Sequence, residues 1–464
     1  MKTRLKQLLV VAFAIFISAC SDDDSLQSDP FVVAFESLSK NLQDIESQEA
    51  ISLVYSEMAV QNGTVRIQIL PTNAEYGQDF TTVPEAVNNT IELSIASGEI
   101  ENEIIFNKLS STLDETTLIN FTIASITYDN SNVQGNTEFV INSSAALGGS
   151  IAPELGGPNE GNQVFVDLSS ESTTLAQRDS WDLGFYNGDA FRVTINGSIY
   201  MATKELTETN IDAVTQASVA SIQPQVAVGT FDPSNAAYVD APNGNILETA
   251  INEISVNDAD NKVYLVNLGY EVGTATPTVG SVAVAGNARG WKKIRILRSG
   301  SDYVLQYADL DDTTHQEVII SKDTDFNFQH FSFNTNNLVS VEPKKDKWDI
   351  SFTVMTNILP GAGSYGFSDF VAHNRKGTAV SYQVSTSDVS YDDFTMSDVV
   401  EASFLEDQTT IGSNWRDVFS GTARTDRFYI VKDPNGNIYK LKFLALTNQN
   451  GERGYPEFEY KLIS

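Results

Sequence analysis

The sequence is poor in the residues that most often build reactive centres. One cysteine among 464 residues excludes a disulfide framework and any cysteine-cluster metal site. Three histidines exclude a histidine-rich zinc centre. Basic residues are scarce, 29 against 61 acidic ones, for a formal charge of -32 and a pI ≈ 4.3. Such a surface is repelled by a phosphate backbone, which disfavours nucleic acid as a partner. Neither a Gly-x-Ser-x-Gly elbow nor a His-Glu-x-x-His pair occurs, and the helices that a dinucleotide fold needs are missing from the pattern. Carboxylates are too numerous for any two to stand out as a glycosidase pair. Composition therefore points away from an enzyme and towards non-catalytic binding. The hydrophobic fraction of 41% is enough for ordinary cores, and the length corresponds to about three domains.

The first segment reads as an address. Lys2, Arg4 and Lys6 precede an apolar run from Leu8 to Ile17, too short to cross a bilayer core of about 30 Å. A basic start, a short apolar stretch and small residues at a cut site make a secretory signal over 1–19. Ile17-Ser18-Ala19-Cys20 resembles the bacterial lipobox, which implies that Cys20 is lipidated and becomes the new N-terminus. Residues 20–29 then form an acidic linker. Its Ser21-Asp22-Asp23-Asp24 resembles the surface-export signal of lipoproteins in the Bacteroidetes phylum. The implied location is the outer membrane, lipid-anchored and exposed at the cell surface; an acyl chain tethers without spanning.

Strand chemistry dominates the mature chain. Val65-Arg66-Ile67-Gln68-Ile69, Ile91-Glu92-Leu93-Ser94-Ile95 and Phe121-Thr122-Ile123-Ala124 alternate apolar and polar residues, the period of half-buried antiparallel strands. Glycine and proline accumulate over 146–162, a linker composition, so a first domain is expected at 30–145. Gly63 to Ile69, Ala74-Glu75-Tyr76-Gly77-Gln78-Asp79-Phe80, Ser97-Gly98-Glu99 and Asp114-Glu115 follow in an order that resembles a Calx-beta module. The resemblance implies a β-sandwich, which in some members binds calcium. Asp79, Asp114 and Glu115 are the calcium candidates. They fall short of the six to eight oxygens calcium prefers, so a metal-free spacer stands beside the calcium reading.

The rest of the chain contains a duplication. Asp179-Ser180-Trp181-Asp182-Leu183-Gly184-Phe185 answers Asp346-Lys347-Trp348-Asp349-Ile350-Ser351-Phe352. Asn261-Lys262-Val263-Tyr264-Leu265-Val266 answers Asp426-Arg427-Phe428-Tyr429-Ile430-Val431. Landmarks in one order at nearly one offset predict two homologous β-domains, at 163–311 and 317–464. In the second copy Trp348, Ile350 and Phe352 are expected on one face of a strand, with Asp349 and Ser351 on the other. Asp433-Pro434-Asn435-Gly436-Asn437 predicts a tight hairpin, with Asn435 and Gly436 taking positive φ.

These landmarks, with Phe331-Ser332-Phe333 ahead of Trp348 and Ile438-Tyr439-Lys440-Leu441-Lys442-Phe443 behind, resemble the HmuY family of haem-binding lipoproteins. The resemblance implies an all-β fold and haem held between two axial side chains. The whole chain is thus expected to be all-β: a Calx-beta-like sandwich, then two HmuY-like antiparallel β-domains. Two histidines do not fall where the family has them. The first ligand position, around Phe394 to Leu405, offers Met396; the second, near Val418-Phe419-Ser420-Gly421, offers none. Met396 and His373 are the candidate iron ligands and Tyr365 a candidate stacking residue, beside Phe367 and Tyr391. His315 reads as a loop residue, His330 as a strand-surface residue, and Met201 and Met355 as packing residues. The implied activity is capture of haem or a related tetrapyrrole and its delivery to an outer-membrane receptor. An adhesion or scaffold lipoprotein that has lost haem ligation is the alternative.

Overall fold

The computed structural model describes residues 30–110, 113, 116–142 and 145–463. The signal segment, Cys20, the acidic linker, Asp114 and Glu115 lie outside these residues. The described chain is all-β, with only short 3-10 turns and a four-residue α-helix between strands.

Strands between Phe31 and Asn142 form two five-stranded sheets. The three alternating segments lie in them with their apolar residues inward: Val65, Ile67, Ile69, Ile91, Leu93, Ile95, Phe121 and Ile123 are all buried in one core. This alternation is what a sheet needs when one face packs and the other meets water.

The 146–162 stretch is more than a linker. It carries the strand β1 (Gly148–Ile151), which pairs antiparallel with Arg453–Leu462 near the C-terminus. Gly148 has φ +132, and a Cβ there would stand 2.3 Å from the Tyr460 carbonyl oxygen, so only glycine allows the approach. Counting on from β1, the first copy continues with β2 (Asn162–Asp167), β3 (Ser172–Gln177), β4 (Leu183–Tyr186), β5 (Val193–Ile195), β6 (Ala202–Glu205), β7 (Val263–Asn267), β8 (Trp291–Ser299) and β9 (Asp302–Ala308). The second follows as β10 (Gln316–Ile320), β11 (Phe328–Ser332), β12 (Asn337–Val339), β13 (Ile350–Leu359), β14 (Gly363–His373), β15 (Val380–Ser385), β16 (Arg427–Lys432), β17 (Ile438–Thr447) and β18 (Arg453–Leu462).

The sheets cross the sequence boundary between the copies. One lobe contains β6-β7-β8-β9-β10 and β5-β4-β11-β12; the other contains β1-β18-β17-β16-β15 and β3-β2-β13-β14. Each copy therefore gives its first three strands to the sheets of the other. Equivalent hydrogen bonds make the exchange reciprocal. The Asp182 N–H donates to the Phe331 carbonyl and its carboxylate accepts from the Phe333 N–H at 2.6 Å. The Asp349 N–H donates to the Val166 carbonyl and its carboxylate accepts from the Leu168 N–H at 2.7 Å. The aspartate after each tryptophan thus holds the hairpin of the opposite copy.

Two local expectations change, and one glycine spacing proves to be a hairpin. Trp348 leaves the face of Ile350 and Phe352: these two enter the lobe core, whereas the indole packs on Phe165 and Val341. In the Asp433–Asn437 turn only Gly436, at φ +92, takes positive φ; Asn435 is held by its N–H donating to the Asp433 carboxylate at 2.8 Å. Gly361, Gly363 and Gly366 have dinucleotide-motif spacing, but they join β13 to β14 in an antiparallel hairpin and open no helix, so they cradle no phosphate.

Candidate functional site

The exchange brings equivalent residues of the two copies face to face across the junction of the lobes. Gln163 and Phe165 on β2 have Phe328 and His330 as counterparts on β11, and Trp181 precedes β4 as Trp348 precedes β13. These side chains line a cavity of about 190 Å³. Trp181 meets His330 edge to face with ring centroids 4.7 Å apart, and Trp348 meets Phe165 in the same manner at 5.0 Å. The rim is clasped across the lobes. The Asn243 carbonyl accepts from the Gln408 N–H and from Arg375 Nη1, and the Pro242 carbonyl accepts from Gln408 Nε2 at 2.8 Å.

His330 is not a strand-surface residue. It is 6% exposed, and burial drives its pKa down to about 3, so the imidazole is neutral. Among the described residues neither ring nitrogen has a hydrogen-bond partner. His373 also lines the cavity and is also neutral, its pKa lowered to about 4 chiefly by burial. Its nitrogens are engaged: Nδ1 lies 2.9 Å from Ser381 Oγ, and Nε2 lies 3.3 Å from the Glu406 carbonyl. A carbonyl only accepts, so Nε2 carries the proton and Nδ1 accepts from the serine hydroxyl.

Three charged side chains complete the lining, and sequence reasoning passed over all of them. Glu342 accepts the Phe328 N–H at 2.8 Å, and burial raises its pKa to about 7. Asp240 accepts the N–H groups of Ile195 and Ala250, both at 2.8 Å, and is raised to about 6 for the same reason. Burial lowers Lys376 to about 8. Its ammonium reaches Gln408 Oε1 at 3.4 Å and has no carboxylate within ion-pair distance among the described residues. These three positions carried no sequence signal, because their meaning depends on the packing of two distant segments.

The other predicted site residues lie elsewhere. Met396 is 46% exposed at the start of a short 3-10 turn, and Tyr365 packs on Phe231 and Phe367 on an outer face; neither lines the cavity. Lys440 on β17 donates to the carbonyls of Tyr391 and Phe394 just before Met396. The Thr447 hydroxyl, seven residues further along the strand, donates to the Gly421 carbonyl. The two segments where the family resemblance places iron ligands are therefore moored at different points of β17, seven residues apart. Tyr391 is buried against Phe428, Met201 is fully buried, and Met355 is half-buried at the cavity wall. His315 pairs with Asp212 at 2.9 Å. In the first domain the Asp79 carboxylate accepts the Glu75 N–H at 2.8 Å and closes its own turn. Among the described residues no group of three histidine, cysteine, aspartate or glutamate side chains is placed to hold a metal ion.

The model of the family described as HmuY protein matches residues 159–460, a span that contains the cavity and, apart from β1, the strands of both lobes up to Tyr460. The chain belongs to the HmuY family. Within this HmuY chain the match runs unbroken across the boundary between the copies, as the exchanged strands do. Among proteins with curated functions none matches. Of solved structures, the apo form of the Calx CBD1 domain is similar at 12% identity over 24% of this chain and 96% of that one, with a TM-score of 0.20. CBD12 from CALX1.2 is similar at 10% identity over 32% and 75%, with a TM-score of 0.20. The calcium binding domain CBD12 of CALX1.1 is similar at 9% over 60% and 79%, with a TM-score of 0.19.

The residues present do not fit a haem held by two axial side chains from the predicted set. His373 has committed both nitrogens, and Met396 stands apart from it at the surface. The cavity is also too small, because sites that enclose drug-sized ligands occupy about 300–1,000 Å³.

Proposed function

We propose that this HmuY-family chain is a non-catalytic capture protein of the cell surface, tethered through a lipidated Cys20, with haem or a related tetrapyrrole as cargo for an outer-membrane receptor. The family match across 159–460 carries this reading. We read the cargo as bound without axial ligation by His373 and Met396 together, a reading supported by the hydrogen bonds on both His373 nitrogens and the exposure of Met396. An absorbance titration of the full mature chain with haemin tests it. A saturable Soret shift that survives Met396→Ala is expected, and an unchanged Soret band at micromolar protein ends the proposal.

A second reading, an adhesion or scaffold lipoprotein that has lost haem ligation, is favoured by one observation, the engagement of both His373 nitrogens. The same titration decides between them. Calcium in the first domain rests on Asp79, Asp114 and Glu115 together, and a calcium-dependent rise in the melting temperature of residues 30–145 within the full chain supports it.

A further inference from the structure

The cavity between the lobes, about 190 Å³, is too small for a haem, and its chemistry indicates an occupant of its own. An engineered cavity of about 150 Å³ holds one benzene, so about 190 Å³ admits a single six-membered ring with small substituents. Indole and phenyl rings of Trp181, Trp348 and Phe165 supply apolar walls. His330, more than nine-tenths buried, has a ring nitrogen that donates and one that accepts, neither with a hydrogen-bond partner among the described residues. Lys376 adds a donor whose one hydrogen bond is long. An unpaired buried donor or acceptor costs about 1–3 kcal/mol, and a ligand that offers donors and acceptors around its edge pairs with the His330 nitrogens.

Charge and polarity narrow the class. An anionic ligand would face Glu342 and Asp240, and a cationic one would face Lys376, so a neutral molecule meets no like charge. A purely aromatic ring would cover the walls and leave the imidazole and ammonium unsatisfied. A pyranose has apolar C–H faces for the rings and hydroxyl groups that both donate and accept. From the paired tryptophans, the unpartnered His330 and the size of the cavity, we infer that the junction of the two lobes is a binding site for a neutral monosaccharide.

The test uses the full mature chain and D-glucose, D-galactose, D-mannose and L-fucose as probes, with calorimetry and tryptophan fluorescence as readouts. At least one sugar is expected to bind saturably at millimolar concentration. His330→Ala is expected to weaken it by about tenfold, equivalent to roughly 1.4 kcal/mol. Lys376→Met gives a second reading of the same site if the histidine variant fails to fold. The inference is overturned if all four sugars are inert towards the folded protein. It is equally overturned if a sugar binds with the same affinity to the folded His330→Ala and Lys376→Met variants, or if indole binds where the sugars do not. Haemin titration is independent of each of these outcomes.

Discussion

The two aspartates that follow the tryptophans are structural equivalents in different electrostatic settings, so the same substitution should affect them unequally. Asp182 is fully buried and pairs with Arg289 at 2.6 Å, the arginine itself being only 5% exposed. Replacing Asp182 with asparagine keeps an acceptor for the Phe333 N–H but leaves the guanidinium buried without its counter-ion. Breaking a buried pair from one side costs about 3–5 kcal/mol. Arg289 retains bonds to Asn334 and to the Leu268 carbonyl, which places the loss near about 3 kcal/mol. For a unit of about 150–250 residues this lowers the melting temperature by roughly 6–12 °C. Asp349 is buried to the same degree but has no ion-pair partner among the described residues, and burial holds its pKa well above the usual carboxylate range. Asp349→Asn keeps the acceptor for the Leu168 N–H and removes a charge that burial disfavours, so stability at neutral pH changes by less than about 1 kcal/mol. The pH dependence differs in extent, because burial raises the Asp182 carboxyl too but Arg289 offsets part of that rise. The folded state holds the Asp349 proton to higher pH than the unfolded chain does, so Asp349 makes stability fall as pH rises from about 3.9 towards its folded pKa. That slope is absent in Asp349→Asn. Calorimetry of both variants from acid to neutral pH is the assay, and equal melting shifts for the two would refute the reasoning.

Glu171, whose carboxylate accepts from the Ser37 hydroxyl at 2.7 Å where the first domain meets the lobes, has a pKa raised to about 7 by burial. The first domain should therefore dock less tightly as pH rises from about 4.3 to 7, and Glu171→Gln should remove that dependence in hydrogen exchange at Ser37 and Ser39. Gly148→Ala should cost more than about 1 kcal/mol, because alanine pays for the positive φ and meets the Tyr460 carbonyl. Limited proteolysis should then cut sooner between residues 146 and 162, and an unchanged cutting rate would contradict the close approach.

Much of the fold was legible along the chain. Val65, Ile67 and Ile69 announce a half-buried strand by alternation alone, and they occupy one. The turn at Asp433 to Asn437 follows from residues that prefer that backbone, and the strands beside it pair as read, Tyr429 with Leu441 and Lys432 with Ile438. The site was less legible. His330 looked like a surface residue because its neighbours Phe331 and Phe333 account for a core face, and nothing nearby discloses that the other face is covered by a second lobe. Glu342, Asp240 and Lys376 are ordinary charged residues in sequence and become unusual only when burial removes their water.

The sequence by itself determined the local elements and the acidic, histidine-poor chemistry, since these depend on residue type and on periods of a few residues. Tertiary structure alone decided which copy each hairpin joins, and with it the chamber where Trp181, Trp348 and His330 meet. A two-residue period states that a face is buried and is silent about what buries it. When two copies carry nearly the same pattern, either is an acceptable partner by that criterion, and the choice rests on packing and on long-range bonds such as those of Asp182 and Asp349.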